Sequence, residues 1–232
     1  MTPDPGAPEA QVLSVNVGRV REIRYRGKTH RTAIYKKPVP GRLHIAAESL
    51  AGDQQADHRY HGGPAKALYA YASEDYAWWQ DRLGVELAPG TFGENLTLGG
   101  LPISHTLRGE CFRVGTAVLR VTQPRFPCWK LGVRMGDHRF PREFLRSGRS
   151  GAYLAIVTEG DVAAGDPVET VSRPDHPVTI GLLAYLNDRD PKLGGYLLKV
   201  AEMPLEAEAW RELLEGAGIP FELYREWAAR PA

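Results

Sequence analysis

The alternation of apolar and polar positions divides this chain into short segments. Gln11 to Val17 (QVLSVNV) carries β-branched residues in alternation and predicts a first strand ending near Gly18. Arg31 to Tyr35 and Gly41 to Ile45 are further strand candidates, separated by Pro38 and Pro40. Ala67 to Ala72 (ALYAYA) reads as a strand or as the start of a helix. From Ser73 the period changes. Ser73 offers an N-cap, Glu74 and Asp75 occupy the first turn, and Ser73 to Leu83 (SEDYAWWQDRL) predicts an amphipathic helix closed by Gly84. From Asn95 to Val121 short β-like pieces follow, NLTL, CFRVG and AVLRVTQ, punctuated by glycine. Pro141 to Ser147 predicts a short helix, Ala152 to Val157 (AYLAIV) a buried strand, and Asp161 to Val171 a turn and a last strand.

After Arg173 and Pro174 the pattern becomes helical. Val178 to Leu186, Lys192 to Glu202 and Leu205 to Glu215 each follow a proline, Pro177, Pro191 and Pro204. Helices this short must pack on one another or on the β-rich body. The expected organisation is therefore a disordered tail over 1–10, a mainly β (α+β) domain over 11–174, and a three-helix segment over 175–232. Many short strands with few helices argue for a barrel or a sandwich.

Composition sharpens this only in places. Hydrophobic residues at 43% and charged residues at 25% suffice for a core without disulfide or metal staples. A net charge of +1 gives no whole-molecule field for nucleic acid or membrane. The charge is unevenly placed, however. Between Arg19 and His44 stand nine Lys or Arg residues against one acid, Glu22. That stretch is either a solvated face or a basic wall for a phosphate-bearing ligand. No apolar run approaches the ~20 residues of a membrane span, and the first ten residues lack a signal-peptide pattern. With only Cys111 and Cys128 no disulfide framework exists, which points to a reducing compartment, the cytoplasm.

The segment Gln123 to Leu131 (QPRFPCWKL) holds the most chemistry. Cys128 sits between Pro127 and Trp129 on a stiff loop at a strand end, with Arg125 and Lys130 close by. Such a thiol is either reactive, as a metal ligand or nucleophile, or a buried structural cysteine. Cys111 lies in a strand-like piece and is assigned to core or surface. A second cluster, Gly52 to Tyr71, places Asp53, Asp57, His58, Arg59, His61 and Lys66 around Gly62-Gly63-Pro64. A glycine pair admits a ligand close to the backbone, or simply makes a turn among solvated charges. Thr91 to Thr97 (TFGENLT) brings Glu94 and Asn95 to a turn entering a strand, where they orient a ligand or cap the turn. Ser147 to Tyr153 (SGRSGAY) flanks Arg149 with glycines, as an anion site or a tight turn.

In order along the chain, GD–D–HGG–KA–YAY, FGENL, QPR–PCWKL, GAY and a late GD resemble the MOSC family, the C-terminal domain of molybdenum cofactor sulfurases and its stand-alone bacterial relatives. The resemblance runs from Val12 to Val171, and the helical tail is similar to the appendage of the stand-alone branch that confers resistance to hydroxylaminopurine. It implies a closed MOSC-type β-barrel binding the molybdopterin form of the molybdenum cofactor, with Cys128 as metal ligand. It also implies that His61, Lys66, Arg125, Glu94 and Asn95 line the cofactor site, beside Arg59, Gly62 and Gly63. The basic stretch from Arg24 to Lys37 would suit the cofactor's phosphate. Gly109-Glu110 stands where the family pattern leads one to expect Gly-Asp.

The resemblance implies a cytoplasmic reductase of N-hydroxylated small molecules, with Cys128 and His61 as its catalytic pair. His61 would donate protons from an imidazole of ordinary pKa, ~6.5, and Trp129 or Tyr60 would stack on a purine. The chain lacks a flavin or nicotinamide fingerprint, so electrons would come from a separate donor protein. The alternative is a carrier of cofactor, or of sulfur as a Cys128 persulfide, without redox turnover. Pyridoxal phosphate at Lys66 is disfavoured, because nothing local marks a Schiff-base lysine. The acids of the C-terminal helices, Glu202 through Glu226, argue against nucleic acid there and leave packing on the body, a protein partner or a homodimer contact.

Overall fold

The computed structural model describes residues 9–200, 207–216 and 218, apart from the side chains of a few of these, Arg59 and Tyr60 among them. Strands form at Gln11–Val17 (β1), Arg21–Tyr25 (β2), Lys28–Thr32 (β3), Lys37–Pro38 (β4), Leu43–Ala46 (β5), Ser49–Leu50 (β6), Leu68–Ala72 (β7), Leu96–Gly99 (β8), Cys111–Val114 (β9), Ala117–Pro124 (β10), Ala152–Thr158 (β11), Gly160–Val162 (β12) and Val168–Ser172 (β13). Helices form at His58–His61 (α1), Ser73–Leu83 (α2), Trp129–Met135 (α3), Phe140–Arg146 (α4), Ile180–Arg189 (α5), Pro191–Val200 (α6) and Ala207–Gly216 (α7). The architecture is mixed α+β around an eight-stranded sheet of order β13-β9-β10-β11-β7-β8-β1-β4.

β7 organises the sheet. Its side chains alternate between two cores: Leu68, Ala70 and Ala72 enter an aliphatic cluster, while Tyr69 and Tyr71 enter an aromatic one with Trp79, Phe92, Phe140 and Phe144. Both faces are covered, which is why ALYAYA shows no polar positions. Burying each such side chain contributes roughly 1.5–3 kcal/mol before entropy is subtracted. β7 and β8 are parallel neighbours, and α2 makes the crossover between them. Gly84 ends α2 in the left-handed conformation, as its position predicts. Ser73 is not the cap: Ala72 takes the N-cap position with no side-chain bond, and Ser73 is already helical.

The sheet is not closed into a barrel, which corrects the family-based expectation. The outer edge of β1 is divided between two partners. Asn16 and Val17 pair with Pro38 and Lys37 of β4, whereas the start of β1 meets the segment before β13 through the single bridge between Gln11 and Pro167. Three backbone hydrogen bonds reinforce that seam: Val12 N–H to Asp166 O at 2.9 Å, Gly165 N–H to Val12 O at 2.7 Å and Val168 N–H to Ala10 O at 2.8 Å. Pro167 has no N–H to donate and Gly165 turns the chain at φ 89°, so a bridge forms where a barrel needs a ladder.

β2 and β3 form a separate hairpin, and β12-β5-β6 a small third sheet. Strand was expected at Arg31 to Tyr35. It lies instead at Lys28–Thr32, because its partner β2 is too charged to show an apolar alternation. Thr179 caps α5 by accepting the Leu182 N–H at 3.1 Å. Ile180, Leu182, Leu183 and Leu186 of α5, with Leu197 and Leu214 of the next two helices, join the same aliphatic core as the sheet. The boundary expected near Asp175 falls in the loop before α5, and that core runs across it. The tail up to Pro8 and the helix boundaries expected at Glu202 and Leu205 lie outside the described residues.

Candidate functional site

A cleft of about 600 Å³, counting its open mouth, lies between the loop after β3, the turn at 53–57, α1 and the segment 125–130. Tyr69 of β7 and Tyr153 of β11 line its floor.

Cys128 stands on the wall of this cleft, half-buried and unpaired with Cys111. β10 ends at Pro124, and prolines at 124 and 127 prevent further strand pairing. The chain leaves the sheet, Cys128 takes an extended backbone (φ −116°, ψ 173°), and α3 begins at the next residue. That helix was not expected, since proline on both sides of Phe126 suggested only a loop. Lys130 also lines the cleft, its Nζ 3.9 Å from an Asp57 carboxylate oxygen.

Arg125 is the most telling side chain. It is 5% exposed, and its guanidinium lies 5.3 Å over the Tyr69 ring and hydrogen-bonds Tyr153. Its Nη1 is buried without a hydrogen-bond partner. A buried charged donor left unsatisfied costs on the order of 1–3 kcal/mol, and an anion beside it would relieve that cost. The donor set here, a thiol flanked by Arg125, Lys66 and Lys130, fits a negatively charged, sulfur-binding group.

His61 hydrogen-bonds the Tyr153 hydroxyl through Nδ1 at 3.0 Å. Burial, reinforced by Arg125, pushes its pKa down to about 4, against the pull of Asp57. The imidazole is therefore neutral near pH 7, which corrects the expectation of an acid of ordinary pKa. Lys66 also lines the cleft, and burial lowers its ammonium pKa, countered by Asp57.

Other expected site residues have different work. Asn95 reaches the cleft, but its side chain is occupied: Oδ1 accepts the Tyr69 N–H at 3.2 Å and Nδ2 donates to Asp53 at 2.9 Å. Glu94 does not line the cleft. It is fully buried and accepts from Tyr76 Oη and the Gly90 N–H, both at 2.6 Å, and from Thr97 Oγ1 at 2.9 Å. Burial raises its pKa against those bonds. Gly62 and Gly63 are likewise off the cleft. A Cβ on Gly62 would come within 2.2 Å of Gln55 Oε1, and Gly63 (φ 88°) gives its N–H to that oxygen at 3.3 Å, so the pair serves a turn against Gln55. The Arg59 side chain is outside the described residues. Arg149 pairs with Asp75 and lies 5.0 Å over Trp78, which makes its glycine-flanked segment a structural turn.

Sequence reasoning missed two features. Lys36 and Asp53 form a buried ion pair in the cleft wall, and Lys36 is the only member of the basic stretch among the cleft-lining residues. Trp129 is not free for a ligand on both faces. It stacks on Tyr25 of the β2–β3 hairpin at 4.6 Å and 11°, with His30 edge-on at 4.7 Å. An aromatic beside the cysteine was visible in the sequence. Its partner, 104 positions earlier, was not.

Comparison with known proteins identifies the family. Residues 57–169 match the MOSC domain, and the chain belongs to the MOSC-domain family. The YflK protein of Bacillus subtilis is 34% identical over 200 residues, 86% of this chain and 90% of its own. Protein YiiM of Escherichia coli is 33% identical over 192 residues, 81% of this chain and 79% of its own. These mark the stand-alone kind of MOSC protein as this chain's relatives. A Gibberella moniliformis protein named Reductase is 30% identical over 177 residues, 75% of this chain but 30% of its own length. The crystal structure of YiiM from Geobacillus stearothermophilus superposes with a TM-score of 0.67 at 27% identity, covering 95% of this chain and all of that one.

Proposed function

We propose that this protein binds the molybdenum cofactor in the Cys128 cleft and reduces N-hydroxylated bases or related N-oxygenated compounds to amines. The observation that carries this reading is the buried, unpartnered Nη1 of Arg125 in the cleft wall that also holds Cys128. The family and the fungal relative's name, Reductase, point the same way.

Cys128 would hold the metal as thiolate, and Arg125, Lys66 and Lys130 would hold the anionic pterin dithiolene and its phosphate. When bound, that cofactor supplies two-electron redox chemistry. An N-hydroxylamine takes up two electrons and two protons to give an amine and water. The electrons would come from a separate donor protein, and the protons would enter through the cleft. Neutral His61 holds Tyr153 and keeps the floor in place.

The test is molybdenum and pterin content of protein produced with active cofactor synthesis, for wild type and Cys128→Ala, followed by hydroxylaminopurine reduction with reduced methyl viologen. Near-stoichiometric molybdenum lost in the variant, with turnover in wild type, is the expected result. Molybdenum without turnover would leave a cofactor carrier. No molybdenum in either protein beside a loaded control would overturn the reading.

A further inference from the structure

Among the described residues the β2–β3 hairpin is paired with no other strand. Arg19, Arg21, Arg24, Arg26, Lys28 and Arg31 on and beside it are all exposed. None of the six forms an ion pair with an acid among the described residues; Arg21 lies on the Tyr35 ring at 3.2 Å and Arg26 faces Tyr25 at 5.3 Å. Glu22 is the one acid of the hairpin, opposite Arg31 in register. On a chain of net charge +1 this is a concentrated positive field balanced by acids elsewhere.

Its position gives the field a purpose. Tyr25 of the hairpin stacks on Trp129, and Trp129 is bonded directly to Cys128. A protein seated on the hairpin would therefore sit over the aromatic pair next to the cysteine, without entering the cleft.

We propose that this hairpin is the docking surface for an acidic electron-carrier protein. The proposal rests on the reductase reading, which requires such a donor. Positive charge unpaired by the acids among the described residues, at the rim rather than inside the cleft, suits a transient encounter in which complementary charge sets the association rate. A nucleic acid would be drawn by the same charge, but the cleft opens to a small molecule and the Tyr25–Trp129 stack leads from the hairpin to the residue beside the cysteine.

The experiment uses cofactor-loaded protein and reduced flavodoxin, a small acidic flavoprotein, as the probe, with the double variant Arg24→Glu/Lys28→Glu. Both residues are exposed and off the cleft. Turnover with reduced methyl viologen should be unchanged. With flavodoxin, the KM for the carrier should rise about tenfold or more while kcat at saturation holds, because steering by charge contributes that order of rate. Binding of flavodoxin to unloaded protein, followed by titration calorimetry, should weaken in parallel and lose its salt dependence. Arg24→Gln/Lys28→Gln should fall between. Viologen turnover with an unaltered flavodoxin KM in the double variant would overturn the docking site alone. Absence of viologen turnover in wild type would overturn the reductase reading and this proposal with it. Single-stranded DNA binding tighter than flavodoxin, abolished by the same variant, would reassign the surface.

Discussion

Lys36 and Asp53 form an ion pair in which both side chains are almost wholly enclosed, 8% and 2% exposed. The same carboxylate accepts the Gly18 N–H at 2.7 Å and the Asn95 Nδ2 at 2.9 Å. One aspartate thus ties the end of β1, the loop after β3 and the start of β8 together behind the cleft. Burial lowers the Lys36 pKa, and the Asp53 charge opposes that shift. Removing the carboxylate strands a buried ammonium and two donors, so Asp53→Ala should destabilise by about 3–5 kcal/mol. Lys36→Met leaves Asp53 with two donors and should cost less. Urea midpoints of the two variants decide it; a larger loss for Lys36→Met would contradict the ranking.

Arg125 carries the opposite prediction. Its Nη1 has no hydrogen-bond partner, so without a ligand one donor of a buried guanidinium that bonds Tyr153 stays unsatisfied. Arg125→Met should leave the cofactor-free protein as stable as wild type or up to about 2 kcal/mol more stable, since an apolar replacement removes that desolvation cost. The same variant should lose most of its molybdenum. Thermal melting of cofactor-free protein and metal analysis of loaded protein test both halves, and a clear drop in Tm would place Arg125 in the framework instead.

Acid should act through His61. Its imidazole titrates near 6.5 in the unfolded chain and at about 4 in the folded one. The unfolded state therefore takes up the proton first, and stability falls as pH drops through that window. Asp75 works the other way, its pKa raised to about 6 by burial against the pull of Arg149, so folding is favoured as it protonates. Comparing wild type with His61→Asn isolates the histidine: the difference in urea midpoint should move in the variant's favour between about pH 7 and about pH 5. A constant difference would show that His61 does not titrate as its burial requires.

The Tyr25–Trp129 stack anchors the hairpin. Stacked aromatic pairs contribute about 0.5–1.5 kcal/mol beyond burial, so Trp129→Ala should raise the open population of the hairpin about two- to tenfold. Limited trypsin digestion should then cut faster at Arg24, Arg26 and Lys28 by the same factor, with the core unfolding at a similar temperature. Equal cleavage rates would mean the pair is a contact without an anchoring role.

Where the periodicity was strong, the chain could be read directly. The amphipathic run from Ser73 to Leu83 is α2 to the residue, and β1, β7, β9, β10 and β11 lie within a residue or two of their patterns. The charged hairpin and α3 were not legible. The first packs by a few aromatic contacts instead of an apolar face, and the second begins directly after a proline-rich turn.

By itself the sequence determined which residues are chemically able to act: a cysteine flanked by cations, a histidine, a lysine, and motifs in an order that fixes the family. Tertiary structure decided which of them meet. Glu94 and the Gly62-Gly63 pair were turned to framework, while Lys36, Asp53 and Tyr153 were brought to the cleft from distant segments. It also left the sheet open at the Gln11–Pro167 bridge. The reason is common to all of these. Local pattern encodes the conformation of a segment and the face it buries, but burial of a charge, a shifted pKa or an unpaired guanidinium depends on atoms that only folding brings within a few ångströms.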